Sequence, residues 1–228
     1  MPECRARPRP CRCPVSLSPP KNMKSIPPRV SVASAGVRLA AAIALGVLPV
    51  LRVRAEPASP NLVANGNLET PNATGEWAAN WPKPQAGQFS WQAEGADHFI
   101  RMQAVEPGKM MMIYHQVGLG AAKAVEVTVR ARVTGLARGA QAWFDARVMT
   151  SFRDAASAEM KGGGGKAIAF GKDTAGWVER KVAMPVPAGA VFLAIMPTLF
   201  NVEAGTLDIT EVSVKAIDPA SLAAPAAK

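Results

Sequence analysis

The sequence predicts an all-β protein that folds as an antiparallel β-sandwich of about nine strands. Segment 125–134 is the clearest sign, because five apolar residues from Val125 to Val133 alternate with polar residues, as a half-buried strand requires. Further short apolar segments are separated by Gly, Pro and Asn, and helical periodicity is hard to find after residue 55. Without helices to cover a parallel sheet, these strands are expected to form two stacked antiparallel sheets.

The first 55 residues differ in chemistry from the rest of the chain. They hold ten of the 26 basic residues, one of the 17 acidic residues and all three cysteines. Basic residues precede an apolar run from Leu39 to Leu51, and small residues occupy the −3 and −1 positions of a cleavage site after Ala55. This pattern predicts a signal peptide within the leader 1–55 and a secreted or periplasmic protein. Residues 1–22 resemble no signal region, and Met23 would be a more ordinary start.

A membrane anchor is the alternative interpretation of the apolar run. Thirteen residues span only about 20 Å as a helix, whereas the hydrocarbon core of a bilayer is about 30 Å thick. We therefore expect cleavage, and no membrane contact after it.

The chain beyond Ala55 is neutral, with 16 basic and 16 acidic residues and no cysteine. The formal charge of +9 would otherwise suggest nucleic acid, which is not expected as a partner once the leader is removed. Disulfides are excluded, so the core or a metal must hold the fold together. We predict a monomer with a linker at 56–60, one domain at 61–217 and a disordered Ala/Pro tail at 218–228.

The predicted strands follow from apolar segments bounded by turn residues. In chain order they are 61–69, 88–94, 98–104, 110–117, 125–134, 140–153, 177–185, 190–200 and 206–216. Residues 157–166 contain four consecutive glycines and are predicted to form a flexible loop. A phosphate-binding loop is not favoured there, because Lys166 is followed by Ala167 rather than by Ser or Thr.

Several motifs, taken in order, resemble a known family. They are the first segment NLVANGNLE (61–69), Trp81, the GW-x-x-x-x-V stretch (176–182), the P-A-G-A turn (187–190) and the closing stretch GTLDITEVSV (205–214). Residues 61 to 216 are in this way similar to carbohydrate-binding modules of the family 4, 9 and 22 kind. The resemblance implies a jelly-roll sandwich that binds polysaccharide or oligosaccharide without cutting it, as an accessory to glycan degradation.

The resemblance also implies a structural Ca²⁺. Its ligands here would be Glu69, backbone around Asn65 and Gly66, and Glu211. Thr210 stands where the family usually has Asp, and the loss of a carboxylate weakens a site for a cation that prefers six to eight oxygens. The alternative is an ordinary β-edge in which Glu69 and Glu211 are solvated.

The predicted strand 140–153 carries the candidate binding residues. One face is apolar, and the other holds Gln141, Trp143, Asp145, Arg147, Ser151 and Arg153. A flat aromatic ring can stack on the C–H face of a sugar, while carboxylate and guanidinium groups hydrogen-bond its hydroxyls. Trp143, Asp145 and Arg147 are therefore predicted to bind carbohydrate. The alternative is that Trp143 fills a second hydrophobic layer beside an exposed ion pair.

Tyr114 and Gln116 project together from the predicted strand 110–117 and are expected to complete the same surface. A core position for Tyr114 is equally compatible with the sequence.

Two other functions remain open. A glycoside hydrolase or lyase on the same scaffold could draw its carboxylates from Asp145, Asp154 or Glu126. An envelope module that binds protein is the other alternative. His98 and His115 are expected to be structural, because no third ligand follows either of them at a metal-binding spacing.

Overall fold

The computed structural model describes residues 59–85 and 87–222, so the predicted leader and its cleavage site lie outside the described residues. Ten strands occur in this part of the chain. They are β1 (Gln88–Glu94), β2 (Asp97–Gln103), β3 (Met111–Met112), β4 (His115–Gly118), β5 (Ala124–Ala137), β6 (Ala146–Arg153), β7 (Ala167–Phe170), β8 (Val178–Pro185), β9 (Phe192–Leu199) and β10 (Ala204–Ala216). Within the described ranges, helical structure is limited to a 3₁₀ turn at Pro219–Ser221.

The strands form two antiparallel sheets. The first has the order β1-β2-β10-β5-β8. In the second the order is β3-β9-β6-β7, and β4 pairs with β9 as well. The prediction of an all-β antiparallel sandwich is therefore confirmed, with ten strands rather than about nine.

The core lies between the two sheets and consists of the alternate residues of their long strands. From β5 it takes the five apolar residues Val125 to Val133, all fully buried, and from β6 Ala146, Val148 and Phe152. Trp77 and Trp81 close it from the segment before β1, at 1% and 5% exposure. In the described part of the chain, no helix is long and apolar enough to cross a membrane.

The first predicted strand, 61–69, is wrong. This segment runs beside β10, with hydrogen bonds from Leu62 N to Val214 O and from Val212 N to Gly66 O, but it curls into turns. Positive φ angles at Asn65 (52°) and Leu68 (62°) break the extended backbone. The amide of Asn65 holds the curl by hydrogen bonds to Thr70 and Ala79.

The predicted strand 140–153 is half wrong, because β6 begins only at Ala146. Residues 140–145 form a loop closed by backbone hydrogen bonds from Phe144 N to Gln141 O and from Gly139 N to Phe144 O. Alternation continues across this boundary in the sequence, so it gave no sign that pairing stops there.

Three smaller differences concern a divided strand, a missed strand and the C-terminal segment. The predicted strand 110–117 is two short strands, β3 and β4, that share the neighbour β9. β7 was missed because it has only four residues directly after the glycine loop. Residues 218–222, predicted as part of a disordered tail, contain the 3₁₀ turn. The side chain of Asp218 caps this turn by accepting a hydrogen bond from Ala220 N.

Candidate functional site

On the outer face of the second sheet, two rows of longer side chains run along either side of β9, and this surface is here called the β9 trough. Its floor is Ala194, Met196 and Thr198, which are 0%, 9% and 0% exposed and are therefore covered by the two rows. The strand register places longer side chains on both sides of this floor. One wall has Met112, Tyr114 and Gln116, and the other has Arg147, Met149, Ser151 and Arg153. Neighbouring strands are about 4.8 Å apart, so the backbones that carry the two walls lie about 10 Å from each other, and long side chains such as Arg153 reach across to the opposite wall.

Arg147 and Asp145 form the fixed polar group at one end of the trough. Arg147 Nε donates to Asp145 Oδ1 at 2.6 Å, and a second guanidinium nitrogen donates to the carbonyl of Trp143. Asp145 is only 4% exposed, so it is buried rather than on an open face as the sequence predicted. Its charge is used to orient Arg147 and to hold the loop 140–145 against the start of β6.

Trp143 lies in that loop and not on a strand, and it is 55% exposed. Its ring meets Phe144 edge-on, and Phe144 in turn meets Phe200 just beyond β9. The alternative in which Trp143 fills a second hydrophobic layer is therefore wrong, because more than half of the side chain faces solvent.

Tyr114 and Gln116 lie on the opposite wall, as predicted, and Tyr114 is 37% exposed rather than part of the core. The hydroxyl of Tyr114 is 3.5 Å from Gln116 Oε1, and Gln116 Nε2 donates to the hydroxyl of Ser157 at 3.1 Å. The guanidinium of Arg153 stacks on the Tyr114 ring at 5.5 Å from its centroid. Four of the five predicted binding residues therefore present atoms on or beside one trough, and Asp145 supports them from below.

Two polar atoms on the β6 wall have no hydrogen-bond partner among the described residues. They are Ser151 Oγ and Arg153 Nε, both buried and two residues apart on the same face. The sequence placed both side chains on this face but gave no reason to single them out, because hydrogen-bond satisfaction depends on neighbours from other strands.

The outer face of the first sheet carries a second polar cluster, whose members are too far apart in the sequence to be grouped before the fold is known. Asp208, 1% exposed, accepts two hydrogen bonds from Arg101 at 2.7 and 2.8 Å and two from Arg132 at 3.1 and 2.9 Å. Hydrogen bonding to Asp208 is the main cause that raises the pKa of Arg101. The guanidinium of Arg132 lies 4.4 Å from the ring centroid of Trp177 and 5.5 Å from that of Phe99. All these groups are mutually paired, so the cluster is a structural layer over the sheet.

Three of the groups expected to bind Ca²⁺, namely Glu69 and the carbonyls of Asn65 and Gly66, are engaged in other contacts. Both oxygens of Glu69 bond to His98, one to its backbone N–H at 2.9 Å and one to Nδ1 at 2.7 Å. The backbone hydrogen bond, followed by the side-chain one, lowers the pKa of Glu69. Glu69 and Glu211 line one cavity of about 300 Å³ together with Asp97, and Arg130 lines it too.

The backbone oxygens of the same expected set are also occupied. The carbonyl of Asn65 accepts from Leu68 N and Trp81 Nε1, and that of Gly66 accepts from Val212 N. No group of three His, Cys, Asp or Glu side chains in the described ranges is placed to hold a metal. Glu69 and the backbone oxygens near it are thus engaged in hydrogen bonds within the protein, whereas a Ca²⁺ ion needs six to eight convergent oxygens.

The two histidines lie in separate environments. His98 stacks on Trp91 at 4.5 Å between ring centroids, next to Glu69. His115 faces the core at 8% exposure and stacks on Trp81 at 4.5 Å, and its burial lowers the pKa of the imidazole. His115 is therefore a neutral, packed side chain at pH 7.

No protein-family model matches the chain, and no curated protein matches it. Among solved structures, it is similar to the enzymatically active domain of tailspike protein 4 of bacteriophage CBA120, with 13% identity and a TM-score of 0.53. The match covers 69% of this chain but only 21% of the tailspike chain. At this identity the likeness shows a shared fold.

Carbohydrate-binding modules are also among the similar solved structures. A CBM4 module is 16% identical over 68% of this chain and 99% of its own, with a TM-score of 0.47. A family 16 module has 14% identity, the same coverages and a TM-score of 0.46.

Proposed function

We propose that residues 61–217 form a non-catalytic carbohydrate-binding module, whose β9 trough takes a polysaccharide or oligosaccharide. One observation carries the proposal. Among the described residues, the exposed large hydrophobic side chains include two aromatic ones, Tyr114 and Trp143, and both belong to this trough or to the loop at its end.

The chemistry of the trough fits a sugar chain. A pyranose ring has a C–H face, which stacks on aromatic rings, and a rim of hydroxyls, which needs donors and acceptors in fixed positions. Tyr114 and Trp143 provide the rings, and Arg147 and Gln116 provide the polar groups. Stacking contributes about 0.5–1.5 kcal/mol per aromatic contact beyond buried area, so several contacts must act together.

The polar groups are already held in place. Arg147 is fixed by Asp145 and by the carbonyl of Trp143, and Gln116 is fixed by Ser157. Binding therefore immobilises few additional side-chain rotamers, each of which would cost about 0.5–1.5 kcal/mol. A preorganised surface of this kind suits a ligand that offers many weak contacts.

Retention of the purified protein on a panel of soluble and insoluble polysaccharides tests the proposal. We expect Trp143→Ala and Tyr114→Ala each to weaken binding about tenfold, equivalent to about 1.4 kcal/mol, while the melting temperature changes little. Val105→Ala is the matched control, because Val105 is an exposed apolar residue (46%) outside the trough. A large loss of stability with retained binding would contradict the role of these two rings.

Two outcomes would favour the alternatives. Release of reducing sugar by the purified protein would indicate a hydrolase, and release of unsaturated product would indicate a lyase. Failure to bind any glycan in the panel would instead favour a module that binds protein.

Export is a separate part of the proposal and rests on the leader sequence. The mass of the mature protein from its native host should correspond to a chain that begins at Glu56. Light scattering of that protein tests the predicted monomer.

A further inference from the structure

The β6 wall of the trough contains two guanidinium groups with different surroundings. Arg147 is paired at 2.6 Å with Asp145, whose side chain is 6% exposed, so its positive charge is offset by a buried carboxylate. Arg153 has a looser partner, Glu159, at 3.5 Å, and the side chain of Glu159 is 61% exposed. Water screens such a pair, so it offsets little of the charge of Arg153. Arg153 is therefore the less fully compensated of the two guanidinium groups.

Arg153 and Ser151 each also contain a polar atom that lacks a hydrogen-bond partner in the described part of the chain. Arg153 Nε and Ser151 Oγ are buried and have no partner among the described residues, and Ser151 is only 9% exposed. Almost all buried polar groups in native proteins are paired, so two unpaired donors side by side on one face require an explanation. Both project from the wall of a trough that already has the features of a ligand site.

The group that best satisfies these two donors is a carboxylate. It has two acceptor oxygens, one for the hydroxyl and one for the guanidinium, and hydrogen bonds to an ionised acceptor are about twice as strong as neutral ones. Its negative charge would also neutralise a guanidinium that is 18% exposed. A neutral sugar hydroxyl could meet one donor but would leave the charge without a buried counterpart.

We propose, on the basis of the function proposed above, that the trough binds an acidic polysaccharide, with the carboxylate of a uronic acid unit held by Arg153 and Ser151. Tyr114, on which Arg153 stacks, borders the same sugar unit. Six residues separate Arg153 from Arg147, or about 20 Å along the strand. The neutralised Arg147–Asp145 end therefore contacts units further along the chain through their hydroxyls.

The test compares uronic acid polymers with their own neutral forms. Alginate, polygalacturonate and glucuronoxylan are each assayed before and after chemical reduction of their carboxylates to alcohols, by affinity electrophoresis and titration calorimetry. We expect at least one native polymer to bind at least tenfold more tightly than its reduced form. Equal binding of native and reduced polymers, or binding of neutral glycans only, would overturn this inference while leaving the carbohydrate-binding function intact. No binding to any glycan would contradict the function itself.

Substitutions test which residues cause the preference for the native over the reduced polymer. Arg153→Gln should remove the tenfold preference, so that the variant binds the native and the reduced polymer with equal affinity. Lys181→Gln is the charge-matched control, since it removes an exposed cation, paired with Glu126, from the other sheet. If Lys181→Gln reduces the preference as much as Arg153→Gln does, the attraction is diffuse and the assigned site is wrong.

Ser151→Ala separates a ligand-binding role from a structural one. Removing a buried hydroxyl that has no partner should leave the melting temperature unchanged or raise it, while it weakens binding of the native polymer several-fold. A lower melting temperature together with unchanged binding would show that Ser151 serves the fold and would overturn its assignment to the site.

Discussion

At the residue scale, the most heavily bonded charge in the described part of the chain is the carboxylate of Asp208. It is 1% exposed and joins Arg101 of β2 to Arg132 of β5 across the middle strand of the first sheet. Both arginines also lie over the Phe99 ring, so the ion pairs and the aromatic layer hold each other in place.

Asp208→Asn should be strongly destabilising, because it leaves two guanidinium groups without their buried counter-charge. Breaking a buried pair costs about 3–5 kcal/mol, and we expect the lower end because 33% of the Arg101 side chain is exposed. Chemical denaturation gives the free energy of unfolding. Glu126→Gln, which breaks an exposed pair with Lys181, is the control and should cost less than about 1 kcal/mol. Equal effects of both variants would contradict a structural role for Asp208.

A second residue-scale prediction concerns His115 and pH. Burial lowers its pKa below the ordinary value of 6.5, so the folded protein favours the neutral imidazole. The resulting stabilisation is present above pH 6.5 and is lost as the pH falls through the lowered pKa. The free energy of unfolding, measured by urea denaturation, should fall less between pH 7 and pH 5 for His115→Phe than for the wild type. This variant keeps an aromatic ring against Trp81. An identical loss in both proteins would show that other groups control the acid sensitivity.

At the element scale, the segment 61–69 stabilises the sandwich although it is not a strand. Gly66 packs directly on β10, and a Cβ at this position would collide with the carbonyl of Val212 and lie 2.6 Å from Asn61 Nδ2. Asn61 itself hydrogen-bonds to Val212 and Val214, so it cannot move away cheaply.

Gly66→Ala should therefore destabilise the protein by about 1–3 kcal/mol, the usual cost of overpacking. Gly118→Ala is the control, because a Cβ there meets nothing within 4 Å. The thermal midpoints of both variants give the comparison. A Gly66→Ala protein as stable as the control would show that this segment is not packed against β10 as described.

Strand positions were predictable from the sequence where one face of a strand is buried and the other is wet. β1 was predicted at its observed bounds, and the long strands β5 and β10 were found to within a few residues. Alternation says nothing, however, about where hydrogen-bonded pairing stops, so residues 140–145 were assigned to a strand. Positive φ at Leu68 was equally invisible, because leucine rarely adopts it, whereas the Asn65-Gly66 dipeptide is a turn signal within the segment assigned to a strand.

The candidate site was predictable as a set of residue types but not as a set of contacts. Trp143, Arg147, Tyr114 and Gln116 were identified from the face they share on neighbouring segments. Burial of Asp145 beneath Arg147, and the unpaired atoms of Ser151 and Arg153, depend on side chains from other strands. The Asp208 cluster escaped notice for the same reason, since its three charged members are up to 107 residues apart in sequence.

At the scale of the whole molecule, the question is whether a metal helps to hold the sandwich together. Glu69 bonds to His98 through both oxygens, which ties the segment before β1 to β2 without a cation. We therefore expect the melting temperature to be the same in EDTA and in millimolar Ca²⁺, and Glu69→Gln to lower it equally in both. A rise in the melting temperature with Ca²⁺ that Glu69→Gln abolishes would support the calcium site implied by the sequence resemblance.

The hydrogen bond between Leu62 and Val214 has a consequence for protein engineering. It brings the entry and the exit of the sandwich to one place, beside β10, the middle strand of the first sheet, while the trough lies on the other sheet. The domain could thus be grafted into a single surface loop of an unrelated host with its trough turned outward. New termini could equally be opened in the glycine loop before β7, with the old ones joined by a short linker.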